Sequence, residues 1–165
     1  MRVEAVETEQ HFADALAVRF EVFVYEQGVS EDGERDALDD DPRTLHCVAY
    51  DDDGAILGAG RLLAPHTDML HGTGTPHGAM DPATPHIGRV AVSKRARGTG
   101  AGRAIMLFLE SQALQRHGAS GAVRVELSAQ DQAMAFYEKL GYTAHGEAYL
   151  DEGIWHHDAY KDLTA

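Results

Sequence analysis

The sequence predicts one α/β (α+β) domain, a mixed, mostly antiparallel twisted sheet of six to seven strands flanked by about four helices. Three observations carry this reading. At 165 residues and 44% hydrophobic composition, the chain can bury a core without disulfides or metal staples. Its apolar periodicity switches repeatedly between the strand period and the helix period. Its turn signals, an Asp-Gly step and an alternating glycine run, fall between those periodic segments.

In chain order, residues 2–6 alternate like an edge strand, and residues 8–25 carry Phe12, Leu16, Phe20, Phe23 and Val24 at helical spacing. Residues 28–43 are acidic and poorly periodic, which predicts a surface loop with room for a short helix. Residues 45–50 and 55–63 read as strands joined by Asp51-Asp52-Asp53-Gly54, a hairpin signal. Residues 64–85, rich in Gly, Pro, Thr and His, read as a long loop of the kind that often carries function. A strand over 86–92 follows, then a helix from about Gly100 to His117 and a strand over 122–127 with Val123, Val125 and Leu127 on one face. A helix over 131–140 is stopped by Gly141, the residue type preferred just past a helix end. Residues 142–149 and 156–163 close the sheet. No internal repeat, low-complexity tract or interdomain linker interrupts the chain, so residues 1–165 are expected to fold as a single domain.

A net charge of -13 argues against a nucleic-acid partner, because binding a polyanion rests on Lys and Arg neutralising phosphates. No apolar run approaches the roughly 20 residues that span a bilayer, and the first residues are acidic, so a cytoplasmic protein without a membrane partner is expected. Cys47, the single cysteine, sits in an apolar run that predicts an inert buried thiol. Only Lys94, Lys139 and Lys161 are lysines among 14 basic residues. A lysine-poor, carboxylate-rich surface suits a salt-rich cytoplasm, with GC-rich coding as the rival explanation. Ten histidines invite a metal reading, but His66, His71, His77 and His86 are scattered and His156 and His157 are adjacent, so none has ligand spacing and no metal is expected.

Charge is unevenly placed. Residues 1–53 hold 16 acidic and 4 basic residues, whereas residues 87–109 hold Arg89, Lys94, Arg95, Arg97 and Arg103 and no carboxylate. Such a cationic island suits an anionic ligand. Within it, Arg97-Gly98-Thr99-Gly100-Ala101-Gly102 lies between a strand and a helix start. Alternating glycines leave backbone amides open to close approach, the helix N-terminus adds partial positive charge, and Arg95, Arg97 and Arg103 add full charges. The turn is suited to phosphate. A Walker A loop is absent, and a dinucleotide fingerprint counted from Gly98 would need glycine where Arg103 stands, so both nucleotide readings weaken.

Val90-Ala91-Val92 followed by Arg97-x-x-Gly100-x-Gly102 resembles the Arg/Gln-x-x-Gly-x-Gly/Ala signature of the GNAT superfamily, the acyl-coenzyme A dependent N-acyltransferases. Gln130-x-x-Ala133-x-x-Phe136-Tyr137-Glu138-Lys139-Leu140-Gly141-Tyr142 resembles that family's later motif, with Gln130 where Asn is commoner. The segments 19–27, His46, Arg61, 88–92 and 152–156 resemble the ElaA-like and YjcF-like branch, with Trp155 where Pro is expected and no counterpart for residues 64–85.

The resemblance implies a GNAT fold splayed near Val90 and a single GNAT N-acetyltransferase domain that moves an acetyl group from acetyl-CoA to a primary amine of a small molecule or peptide. It places the cofactor diphosphate on the amides of Arg97, Gly98, Thr99, Gly100, Ala101 and Gly102, with Arg103 beside them. It places the pantetheine along Val90, Ala91 and Val92, with Gln130 and Tyr137 nearby, and makes Tyr137 the general acid for the departing thiolate. The free phenol pKa of roughly 10 lies near that of an alkyl thiol. An amine of pKa roughly 10.4 must lose a proton, and Glu26, His46, Glu126 and His156 are the candidate bases or substrate contacts, Glu126 being equally suited to a surface ion pair with Arg124. The acidic segment at Glu31, Asp32, Glu34, Asp36 and 39–41 suits a cationic acceptor such as a polyamine or lysine-like group, or simply a solvated surface. Exposed edge strands allow a homodimer. The alternatives are a coenzyme A sensor without turnover and a nucleotide-phosphate enzyme.

Overall fold

A computed structural model describes residues 1–65 and 83–165. The loop expected over 64–85 falls mostly outside the described residues, and His66, His71 and His77 fall outside them altogether.

Strand β1 (Arg2–Ala5) is followed by helix α1 (Glu9–Arg19), whose N-cap Thr8 accepts a hydrogen bond from the His11 amide at 3.1 Å. The helix then widens into a π-wound segment, Phe20–Glu26, in which the Gln27 amide reaches back five residues to the Val22 carbonyl at 3.1 Å. The single helix expected over 8–25 is therefore two windings. Its buried line is Ala15, Val18, Arg19 and Val22, whereas Phe12, Leu16, Phe20, Phe23 and Val24 are only partly buried. Small side chains let α1 lie close on the sheet, and the large ones flank that contact.

Residues 28–43 are more ordered than a surface loop. They form the short helix α2 (Glu31–Glu34), capped by Ser30, and a 3-10 turn (Ala37–Asp40) closed by a capping box between Asp36 and Asp39. Strands β2 (Leu45–Tyr50) and β3 (Ile56–Leu63) are joined by a turn in which the Asp51 carboxylate accepts from the Asp53 and Ala55 amides at 2.9 and 2.8 Å. Strand β4 (His86–Val92), helix α3 (Ala101–His117), strand β5 (Ala122–Gln130) and helix α4 (Met134–Lys139) follow. Strands β6 (Thr143–Asp151) and β7 (Ile154–Thr164) run longer than expected, because the intervening Glu152-Gly153 makes a two-residue turn with φ of 51° and 74°. Both central residues at positive φ match the right-handed twist of a tight hairpin.

The seven strands form one sheet in the order β1-β2-β3-β4-β5-β7-β6. Every neighbouring pair is antiparallel except β4 and β5, which are parallel and joined at the single register pair His86↔Glu126. Beyond that pair the two strands separate. Strand β4 also bulges: Arg61 faces Gly88 and Ala59 faces Ala91, so Gly60 stands opposite both Arg89 and Val90, and Arg89 takes a φ of 51°. One face of the sheet packs on α1 through Val48, Tyr50, Ala59 and Ala91, and the other packs on α3 through Cys47, Ile87, Ile105, Leu109, Val125 and Leu127. Burial pushes the Cys47 thiol up to about 12, in keeping with an inert packing residue.

The acidic segment is clamped to the sheet by buried charge. Arg19, 1% exposed, donates from Nε to Glu34 at 2.9 Å, from Nη1 to Asp39 at 2.9 Å, and from Nη2 to the Glu34 carbonyl and Asp39 at 2.9 and 3.1 Å. Arg61 on β3 donates to Asp36 at 2.7 and 3.0 Å and to Asp39 at 2.8 Å. Bulged Arg89 donates to the Gly33 and Glu34 carbonyls at 3.2 Å each and to Asp36 at 3.1 Å. Three guanidiniums thus meet three carboxylates. Burial opposes ionisation of Asp39, but the Arg19 and Arg61 guanidiniums and the Asp36 amide outweigh it and hold the carboxyl well below the usual range; Asp36 is lowered in the same way by Arg61 and Arg89.

Removing one partner leaves the others buried and unpaired, so Asp39→Asn is expected to lower unfolding stability by about 3 kcal/mol, measured by urea denaturation at neutral pH. A carboxyl whose folded pKa is depressed stabilises the fold above its unfolded value and loses that contribution as pH falls toward the folded one. Wild-type stability therefore drops as pH is lowered below about 4, and Asp39→Asn shows a shallower drop over the same interval.

Candidate active site

Divergence of β4 from β5 opens a cleft with two lobes. The first is lined by Val22, Glu26, Gln27, Val90, Val92, Arg97 and Tyr137, and the second by Asp32, Glu34, Asp36, Arg61, His86, Asp151 and Glu152. Phe23, Gly88, Arg89, Ser128, Gln130 and His156 line both and mark their junction.

The glycine turn stands at the mouth of the first lobe. Gly98 and Gly100 have φ of 80° and 90°, a backbone that L side chains rarely adopt, and Gly100 is the N-cap of α3 with no side chain capping it. The first intrahelical bond runs from the Ala104 amide to the Gly100 carbonyl at 3.0 Å, which leaves the Ala101, Gly102 and Arg103 amides without helical partners. Thr8 and Ser30 cap α1 and α2, the six-residue α4 is uncapped like α3, and the 17-residue α3 opens on glycines that leave its amides accessible to an anion. Gly102 answers a second demand: a Cβ there would lie 3.2 Å from the Phe136 ring and 3.5 Å from Val92, so its smallness seats α4 against α3. The residues present therefore fit the diphosphate of a coenzyme A.

The arginines of this stretch are mostly engaged elsewhere. Arg97 forms a bidentate pair with Glu26 at 2.7 Å through each Nη, and Arg95 donates to the Ile56 carbonyl at 2.9 Å; Arg103 is exposed. Hydrogen bonding from Arg97 holds the Glu26 carboxyl below its ordinary value, which makes Glu26 a weak base. Val90, Ala91 and Val92 lie on β4 past its last register pair with β5, so that edge has no ladder partner there. Gln130, at the end of β5, exchanges two hydrogen bonds with Gln27, at 2.7 and 3.2 Å, and so ties β5 to the π-wound segment across the cleft.

Tyr137 lies on α4 against the α3-side core and faces the first lobe; its hydroxyl makes no hydrogen bond among the described residues. Burial pushes its pKa up to about 12, so it is a fully protonated donor at neutral pH. His156 sits at the junction. Its Nδ1 lies 2.7 Å from the Ile154 carbonyl, which can only accept, so Nδ1 carries the proton and Nε2 of the neutral ring keeps a lone pair. Tyr149 stacks on that ring at 5.8 Å and 16°. Two other candidates are placed away from the cleft. Glu126 is buried, 3.5 Å from His86 Nε2, while Arg124 pairs instead with Asp162 at 2.7 Å, so the surface pair with Arg124 does not form. His46 is buried beneath Asp39, with Nε2 3.2 Å from its carbonyl, and burial lowers its pKa.

The acidic segment does not line the second lobe as a row of open carboxylates. Glu34, Asp36 and Asp39 are consumed by the buried clamp, Asp40 pairs with Arg35 at 3.0 Å and Asp41 with Arg43 at 2.8 Å; Asp32 remains, joined by Asp151 and Glu152 from the β6–β7 hairpin. The sequence predicted the two closing strands but not that their connecting turn lines the lobe, nor the polar cluster of Ser128, Tyr149 and Asp158. The alternation of Glu126, Ser128 and Gln130 against Val125, Leu127 and Ala129 was the available signal.

The family model for the acetyltransferase (GNAT) domain matches residues 6–163. The chain is 37% identical over 163 residues to a Bacillus subtilis protein described as the uncharacterized N-acetyltransferase YjcF, covering 98% of this chain and 100% of that one. Among solved structures it resembles an acyl-CoA N-acyltransferase from Pseudomonas aeruginosa, with 30% identity, a TM-score of 0.75 and coverage of 98% and 99%. Escherichia coli ElaA shares the fold, with a TM-score of 0.76 at 21% identity over 98% of this chain and 99% of that one. With these likenesses spanning nearly its whole length, the chain belongs to the GNAT acetyltransferase family.

Proposed function

We propose that residues 1–165 act as a single catalytic domain that transfers an acetyl group from acetyl-CoA to a primary amine of a small molecule or peptide. The observation that carries this reading is a cleft with an uncapped helix N-terminus at one end and a protonated tyrosine and a histidine ring along it. Bound acetyl-CoA supplies an activated thioester carbonyl. The open amides of Ala101, Gly102 and Arg103 hold its diphosphate, the Arg97 and Thr99 amides being bonded to the Lys94 and Ala96 carbonyls, and the open edge of β4 from Val90 to Val92 pairs with its amide-bearing arm as an added strand would. A β4 amide beside the Arg89 bulge is placed to polarise the carbonyl oxygen. His156 takes through Nε2 one proton from the ammonium so that the neutral nitrogen can attack, and as the adduct collapses Tyr137 gives its proton to the departing sulfur and regains one from the acylated nitrogen. A sensor without turnover is not favoured, because both proton-transfer groups face the cleft with their reactive atoms available.

Thiol release from acetyl-CoA with a panel of amines tests this reading. Tyr137→Phe is expected to lower turnover about 100-fold at every pH up to about 10 while cofactor affinity stays unchanged, and full turnover in that variant overturns the acid role. His156→Gln is expected to lose about 100-fold near pH 7 and to recover part of it as pH rises toward the amine pKa of roughly 10.4, where the acceptor arrives already neutral.

A further inference from the structure

We infer that Ser128, Tyr149 and Asp158 form a one-directional hydrogen-bond chain that makes Ser128 the docking atom for the acceptor's ammonium group. The inference rests on the acyl-transfer reading above and assigns a positioning role within it. Val125, Leu127 and Ala129 turn into the α3-side core, so Ser128 faces the cleft from β5, and its register partner on β7 is Asp158. Tyr149 reaches over from β6: its hydroxyl contacts Ser128 Oγ and donates to Asp158 Oδ1 at 2.7 Å. Asp158 is 3% exposed and has no cationic partner among the described residues.

Proton counting sets the direction. A carboxylate only accepts, and a phenol has one proton, which goes to Asp158. Ser128 must then give its single proton to Tyr149, and its oxygen is left with lone pairs alone to offer the cleft, where it lines both lobes. That oxygen suits a group rich in N–H donors. A protonated amine fits: one N–H to Ser128 Oγ and a second to Nε2 of His156, whose ring the same Tyr149 holds by stacking. Asp158, a buried negative charge at the end of the chain, favours a cation at its mouth. An ether oxygen finds no donor on Ser128.

Asp158→Asn tests the direction, because the amide can donate to Tyr149 and so turn the Ser128 proton toward the cleft. Steady-state kinetics are expected to show the amine KM rising about tenfold or more, the worth of one hydrogen bond to a charged group, with the acetyl-CoA KM unchanged. Tyr149→Phe keeps the ring stacked on His156 but removes the hydroxyl; it is expected to raise the amine KM in the same way, and it carries the test if Asp158→Asn fails to fold. Unchanged amine KM in a folded variant overturns the docking role while leaving acyl transfer intact. If the wild-type enzyme releases no thiol with any amine, the acyl-transfer reading fails and the docking role falls with it.

Discussion

The buried charge clamp is the constraint on which the working half of the molecule depends. Arg19 from α1, Arg61 from β3 and Arg89 from the β4 bulge converge on Glu34, Asp36 and Asp39, which lie in a segment with little apolar surface of its own. Desolvating six charges is costly, and the cost is offset because most donors on these guanidiniums find carboxylate or carbonyl oxygens at hydrogen-bond distance, the buried Arg61 Nε being an exception. The clamp is therefore weak evidence for extra stability and strong evidence for position. It sets α2 and the 3-10 turn as one wall of the second lobe, and it gives the left-handed backbone of Arg89 a reason to persist.

Strand divergence supplies the other half of the design. A parallel pair with one register contact cannot satisfy the β4 edge beyond His86, so those backbone groups need a ligand or water. The same opening brings the uncapped start of α3 to one end of the cleft. The unpaired strand edge and the uncapped helix start therefore border the same cleft. Tyr137 follows from the same packing, since the contact of Phe136 with Gly102 sets α4, and with it the phenol, beside the first lobe.

Charge in the second lobe is subtler than the composition implies. Of the carboxylates in the acidic segment, most are spent on arginines, and of the three that line the lobe Glu34 and Asp36 are paired, which leaves Asp32 beside Asp151 and Glu152 of a distant hairpin. The floor is polar but closed upon itself, with buried oxygen atoms whose hydrogens are already committed.

Sequence alone determined what is local or backbone-borne. Strand and helix periods, the Asp-Gly hairpin, the stop at Gly141 and the glycine turn are each set within a few residues, and two motifs with fixed spacing carried the family. The backbone of the glycine turn was equally legible, because glycines and a helix start define it without side chains. Tertiary structure decided what depends on distant partners. Arg19 finds its role only when two carboxylates, Glu34 and Asp39, are folded onto it from a segment 15 to 20 residues away. Glu126 reads as half of a surface pair with Arg124 until strand pairing hands Arg124 to Asp162 and buries Glu126 beside His86. Ser128, Tyr149 and Asp158 are 21 and 9 residues apart, and only β-sheet register makes them neighbours. Local chemistry can be read from spacing; who neutralises whom depends on long-range pairing, which a linear pattern does not encode.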